Sequence, residues 1–564
     1  MTYLHAQPQR ISRRTLLRTT LTLAGAASVG SLIAACSPAP SAAPAASGGP
    51  ASAPSPTAAA AAKVGGVLSF AQNQPIKKAD SVDPQTYPAA YEANFTIFNN
   101  LVTFDPDLKI VPDLAEKWDT SSDGNTWTFH VRSGVTFHDG TPFDAEAVEA
   151  HIKRIQDPKT ASPNANLWQH ITAVKVVDGA TVQLTTARPF GPMLNYLAHG
   201  SGGIPSPTAV DKYGDQFGQH PVGTGRYKLD SFTPGTDLIL SRNESYFGGK
   251  PSLDRIRFRA VPEVGSRVAA LETGEADVIN DVPPEEAQRL EKSKGIQILR
   301  KPGLRTFWME FNLNLDQFKD QQVRQALNFA VDKDAIVKSL FQGYASVLDS
   351  PAARTIQGYT SAGSYAFDPQ RANQMLDAAG WAKGSDGIRQ KNGKKLQFTI
   401  NTAEGEYPKD LQYVEAVQAN LKAVGCDPQI WKVEAASRWS YLRVAPGEAK
   451  GEMISFGFNP SNGDLGYHLN AVFHSNKDRA KAPDVWNLMW YENAQVDLLL
   501  DQAQSTPDVT KRFELLGQAQ KHIWDDAPVI FLHAPDLLTG VRDATRDVVV
   551  WPTVFTVVRG ASKS

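Results

Sequence analysis

Leu114-Ala115-Glu116-Lys117-Trp118, then Ser122-Asp123-Gly124, Trp127-Thr128-Phe129-His130-Val131-Arg132, Ser133-Gly134 and Val135-Thr136-Phe137-His138-Asp139-Gly140-Thr141-Pro142 decide how this chain is read. Trp127, Phe129 and Val131 alternate with polar residues, the period of a half-buried strand. Ser133-Gly134 and Asp139-Gly140 supply turns, because glycine takes positive φ without steric cost. Asp144 stands at a helix N-cap, with Val148, Ile152 and Ile155 following at helical spacing. The order is strand, tight turn, short strand, turn, helix. His138 and Asp139 read first as a turn with a satisfied histidine, with a metal role as the alternative.

The chain has 564 residues, which predicts two or three domains rather than one core. Its formal charge is −2, with 57 basic and 59 acidic residues. Removing the four arginines ahead of Cys36 leaves −6 and no basic stripe, which argues against a nucleic-acid partner. Arg13 and Arg14, in Ser12-Arg13-Arg14-Thr15-Leu16-Leu17-Arg18, look like a twin-arginine export signal. The apolar run from Leu21 to Ala35 is short for a membrane span, which needs roughly 20 residues. It ends in Leu32-Ile33-Ala34-Ala35-Cys36, which resembles a bacterial lipobox with Cys36 as the lipidated residue. We therefore expect residues 1–35 to be a lipoprotein signal and 36–63 an Ala/Pro/Ser tether. Fully extended at ~3.1 Å per residue, such a tether reaches roughly 80 Å. Cys426 is the only other cysteine, so no intramolecular disulfide is available once Cys36 is lipidated.

Downstream, Gly66 to Ala71 predicts a strand, Ser81-Val82-Asp83-Pro84 a turn, and Tyr91 to Val102 a helix. Asp178-Gly179 sits between alternating runs and signals a hairpin. Ser206-Pro207 starts a helix, Val264 to Thr273 is a helix stopped by Gly274, and Asp332 and Asp368-Pro369 open two more. Leu411 to Gly425 reads as a helix, Glu452 to Phe458 as a strand, and Thr506-Pro507 as the start of a helix reaching Trp524. Val529-Ile530-Phe531-Leu532 reads as a last buried strand. Gly223-Thr224-Gly225 lacks the helix and Lys-Ser/Thr that phosphate binding requires.

Several of these stretches together resemble a known family. Phe137-His138-Asp139-Gly140-Thr141-Pro142, Pro221-Val222-Gly223-Thr224-Gly225-Arg226-Tyr227, Phe311-Asn312 and Val323-Arg324-Gln325-Ala326-Leu327 occur in the family's order. The family is the family 5 extracellular solute-binding proteins, the dipeptide/oligopeptide/nickel-binding group of ABC importers. The resemblance covers roughly residues 66 to 560. It implies an α/β, periplasmic-binding-protein-like fold with two main lobes, a hinge and an inserted third lobe. It places lobe I at 64–105, 223–305 and 531–564, the inserted lobe II at 106–222, and lobe III at 306–530. It implies a monomeric receptor with no cofactor, and the leader ending in Cys36 adds a lipid anchor at the outer face of the cytoplasmic membrane. That receptor would hand a small-molecule or peptide ligand to ABC permease subunits.

The resemblance also suggests ligand contacts. In dipeptide-binding members an Asp after an aromatic-rich strand holds the peptide amine and an Arg holds the carboxylate. The matching segment is Phe456-Gly457-Phe458-Asn459-Pro460-Ser461-Asn462-Gly463-Asp464. Ser461 occupies the amine position, Asp464 follows three residues later, and Glu404 falls at the Arg position. Asp83, Trp308, Asn312, Phe458 and Tyr467 complete the candidate set. With both charge clamps replaced, oligosaccharides and opine-like solutes stand beside peptides as ligands. An exported hydrolase is the alternative of a different class. His199-Gly200-Ser201-Gly202-Gly203 resembles an oxyanion loop, but the sequence has no Gly-x-Ser-x-Gly elbow, no His-Glu-x-x-His and no Cys-x-x-Cys. We therefore expect a binding protein, not an enzyme.

Overall fold

Val529–Arg542 is a 14-residue strand that two half-sheets share. Its first residues pair antiparallel with Thr306–Phe311 and Ala345–Val347. Its later residues pair with Ile296–Pro302 and Val278–Ile279. From Val278–Ile279 the sheet continues through Val67–Gln72, Arg255–Ala260, Asp237–Arg242 and Tyr227–Thr233. From Thr306–Phe311 it continues through Met453–Phe458, Gln397–Ala403 and Asp427–Val433. The chain crosses between the halves only a few residues apart in space, at 303–305 and along the shared strand. Two halves joined by so little backbone form a hinge.

The computed structural model describes residues 65–74, 76, 82–85, 91–443, 451–475 and 486–564, all within the unit Ala60–Ser564. Arg13, Arg14, Cys36 and the tether lie outside the described residues. Among the described residues no helix is long and apolar enough to cross a membrane.

The stretch quoted first builds the inserted lobe. Ala115–Thr120, Thr126–Val131, Thr181–Thr186 and Ile171–Asp178 form a four-stranded antiparallel sheet. Trp127, Phe129 and Val131 point inward, as their alternation predicts. Gly134 and Gly140 take φ of 74° and 85°. Asp144 caps the helix Ala145–Gln156 by accepting from Ala147 N at 3.0 Å. Val148, Ile152 and Ile155 are fully buried, each contributing about 1.5–3 kcal/mol of apolar burial.

Two motifs of the family resemblance dock on each other. His138 N donates to the Gly223 carbonyl at 2.9 Å, and His138 Nε2 lies 2.9 Å from the Gly225 carbonyl. Ser206 Oγ donates to Asp139 Oδ2 at 2.7 Å. Burial pushes His138 down to about 4, so its ring is neutral at neutral pH and serves as a joint between the inserted lobe and the first half.

Three boundaries differ from the sequence reading. The helix expected over Tyr91 to Val102 is Tyr91–Ile97, because Gly225 N takes the Ile97 carbonyl and the chain turns away there. The last helix is Val509–Asp526, capped by Asp508 rather than opened at Thr506-Pro507. The last strand runs on from Leu532 through Pro535 and Asp536 to Arg542, because each half-sheet supplies partners for part of it.

Candidate functional site

In open α/β sheets ligands bind beyond the carboxyl ends of parallel strands. In the first half, Val67–Gln72 is parallel to Arg255–Ala260 and Val278–Ile279, so their ends lead into Asn73, Val261 and Asn280-Asp281. In the second half, Gln397–Ala403 is parallel to Met453–Phe458, and their ends lead into 404–407 and 459–464. Arg305 enters Thr306–Phe311 at that same edge, since Thr306 pairs with Phe458. The two sets of strand ends mark where this topology places an interlobe ligand cleft.

The first wall is densely hydrogen-bonded. Asn73 N donates to Asn280 Oδ1 at 2.9 Å, and Asn280 Nδ2 returns a bond to Asn73 Oδ1 at 3.3 Å. Arg267, buried, donates to the carbonyls of Val261, Pro262, Asn280 and Asp281. This clamp holds Asp281 at φ 48°, a left-handed conformation uncommon outside glycine. On the second wall, Arg438 is buried and its Nη1 pairs with Glu406 at 2.7 Å. The Arg305 guanidinium lies 5.3 Å from the Tyr407 ring centroid, within cation–π range.

Glu92 and Arg305 are part-buried, and Asp281 is reached by water. Burial nonetheless raises the Asp281 carboxyl above its usual range, against the nearby charges of Arg267 and Arg305. Burial, helped by the charge of Asp281, pushes Glu92 up to about 7. Glu92, Asp281 and Arg305 form no ion pair among the described residues, whereas Asp83, Glu406 and Asp464 each have an arginine.

Because the folded state raises the Glu92 pKa above its unfolded value, its contribution is full below about pH 4.5 and is lost as pH rises through about 7. Glu92→Gln should match wild type near pH 5. At pH 8, after discounting for partial exposure, it should be more stable by about 2 kcal/mol. Urea titrations at both pH values check this; an equal difference at both removes the assigned burial.

Residues 109–480 match the profile of the bacterial extracellular solute-binding proteins, family 5 Middle. The chain belongs to this family. It is 32% identical over 464 residues to the glutathione-binding protein GsiB of Shigella flexneri, covering 80% of this chain and 87% of that one. Helicobacter pylori DppA, solved in complex with the peptide STSA, superposes with a TM-score of 0.72 at 27% identity, covering 89% of this chain and 98% of that one. Campylobacter jejuni NikZ, in complex with Ni(L-His), superposes with a TM-score of 0.73 at 25% identity, covering 88% and 99%. This chain is thus a family 5 solute-binding protein of ABC importers with the periplasmic-binding-protein fold, and not an enzyme.

In this family 5 protein the sequence-predicted contacts fall in several places. Glu404 lies on the surface, 60% exposed, paired with Lys432 at 2.8 Å; Glu406, two residues on, is the carboxylate that turns inward. Asp83 is buried in an ion pair with Arg154, tying the opening segment to Ala145–Gln156. Trp308 is fully buried and donates to Glu310 Oε1 at 2.9 Å. Asn312 is buried and closes a turn by accepting from Asn314 N. Asp464 is buried, caps Leu465–Phe473 and pairs with Arg512. Phe458, Ser461 and Tyr467 come together beside the inserted lobe. Ser461 Oγ is 3.1 Å from His199 Nε2, and Tyr467 packs between Tyr196 and Phe458. The supposed oxyanion loop is part of that contact: His199 Nδ1 bonds the fully buried Ser201 hydroxyl at 2.8 Å. Sequence reasoning missed Glu92, Asp281 and Arg305. For Asp281 and Arg305 the available signal was position alone, a charge shortly beyond or just before a buried strand; for Glu92 it was a carboxylate in the first turn of a helix.

Proposed function

We propose that this chain is the solute-capturing lipoprotein of an ABC importer that takes up short peptides or peptide-like solutes such as glutathione. The observation that carries this reading is a set of charges with no ion-pair partner among the described residues: Asp281 and Arg305 at converging strand ends, and Glu92 in the helix Tyr91–Ile97. Unpaired charges in a recess are costly and are better tolerated where a ligand completes them. The likeness to a glutathione-binding protein and to a peptide-bound receptor supports the same solute class. Phe458, Ser461 and Tyr467 form a lip at the second half. Lobe I comprises 64–105, 223–305 and 531–564, lobe II 106–222 and lobe III 306–530, with closure about the shared strand Val529–Arg542. The receptor acts as a monomer.

Cys36 anchors it to the outer face of the cytoplasmic membrane after export directed by Arg13 and Arg14, and residues 36–63 let it reach the permease. A solute at a hundredfold over its Kd should stabilise the protein by about 2.7 kcal/mol. A thermal-shift panel of glutathione, dipeptides, longer peptides, oligosaccharides and opines reads this out. A shift confined to sugars would refute the peptide assignment. Cys36→Ala should abolish lipid labelling and release the protein from membranes; unchanged labelling would remove the anchor.

A further inference from the structure

Among the described residues, the charges without an ion-pair partner at the cleft stand on opposite walls. Glu92, in Tyr91–Ile97, and Asp281, after Val278–Ile279, belong to the first half. Arg305 stands at the entrance to the second half, over Tyr407. The second half's inward carboxylates are already consumed: Glu406 by Arg438, and Asp464 by Arg512. A ligand ammonium therefore finds no free carboxylate at Glu406 or Asp464, and it finds two on the first half.

Arg267 spends its donors on loop carbonyls, which fixes Asp281 in place without pairing its carboxylate. Asn73 supplies the Asp281 carboxylate one hydrogen bond and leaves further acceptor capacity for a ligand.

We propose that a zwitterionic peptide solute lies across this cleft, its free ammonium held by Glu92 and Asp281 of the first half and its carboxylate by Arg305 at the second. This deepens the peptide reading above and rests on it. It places the amine at the wall opposite the one that the family resemblance implies. Closure then has a direct cause: a ligand with opposite charges at its two ends bridges both walls, whereas one with a single charge is held by one wall.

The test uses calorimetric titration of the exported, delipidated protein with glutathione and dialanine, each also as an N-acetylated and a C-amidated probe. Wild type should lose roughly thirtyfold or more in affinity with either modification. Glu92→Gln with Asp281→Asn should weaken the unmodified probes by a similar factor and leave the affinity for the N-acetylated ones almost unchanged. Arg305→Gln should weaken the acids and not the amides. Such crossed loss is the signature of direct pairing. The acetylated and amidated probes test wild type itself, so a variant that folds poorly does not decide the matter. Tight binding of the unmodified probes with no loss on acetylation, or equal affinity in all variants, overturns the head-group assignment and leaves the peptide receptor standing. Binding of neither peptide, with a different solute class bound, overturns both.

Discussion

Asp464→Ala is expected to cost about 3–5 kcal/mol of folding stability. Asp464 is 3% exposed, and Arg512 Nη1 and Nη2 lie 2.8 and 2.9 Å from its two oxygens. Arg512 is 5% exposed, so removing the carboxylate leaves a guanidinium with neither water nor a counter-charge. The same carboxylate accepts the Tyr467 N–H at 2.6 Å as the N-cap of Leu465–Phe473, a bond worth about 1 kcal/mol. Asp464→Asn separates the two roles. Asparagine still caps, so its loss should come from the ion pair alone. Replacing Arg512 by leucine in the Asp464→Ala background should recover part of the loss, because it removes the stranded charge. Urea unfolding of the three variants measures this. A loss below about 1 kcal/mol for Asp464→Ala would mean that water reaches the pair and that Asp464 is open to a ligand after all.

Gly225→Ala should be similarly damaging, at about 3 kcal/mol or more, for a different reason. A Cβ on Gly225 would sit 2.5 Å from the carbonyl carbon and oxygen of Ile97 and from the Thr96 oxygen. All three are backbone atoms, so no rotamer change relieves the clash. Separating them would also break the 2.8 Å bond from Gly225 N to the Ile97 carbonyl and disturb the Gly225 carbonyl that His138 and Asn243 share. Because Tyr91–Ile97 carries Glu92, the variant should also weaken solute binding. Gly179→Ala is the control: nothing lies within 4 Å of its Cβ, and a change within about 0.5 kcal/mol is expected. Thermal unfolding of both variants settles it, and similar midpoints would contradict the packing argument. The Gly-x-Gly pattern marks a helix pressed against a loop, which explains its glycines without any phosphate.

Where the cause of an element is local, the sequence was sufficient. Ser206, Asp332 and Asp368 cap helices as expected, because a cap is settled by a side chain and the amide three residues on. The Asp178-Gly179 hairpin and the strand Thr126–Val131 followed from alternation and turn residues. The family, and with it the receptor class, was legible because its motifs recur in order along the chain, and the match over residues 109–480 agrees. Val529–Arg542 was legible only in its apolar first residues, since the rest is held by partners supplied from both half-sheets.

The candidate site was decided by tertiary structure. A carboxylate has the same letter whether it is paired, solvated or waiting in a cleft. Asp464 met Arg512, Glu404 met Lys432 at the surface, and Asp281 stands near Asn73, Arg267 and Arg305 without an ion pair among the described residues. Those outcomes depend on partners from distant segments and on how much water the fold leaves around each charge. The sequence by itself determined the local elements, the family and the charged residues available. Which of those charges stayed unpaired at converging strand ends was determined only when the two half-sheets closed around their shared strand, because pairing and desolvation are properties of three-dimensional neighbours.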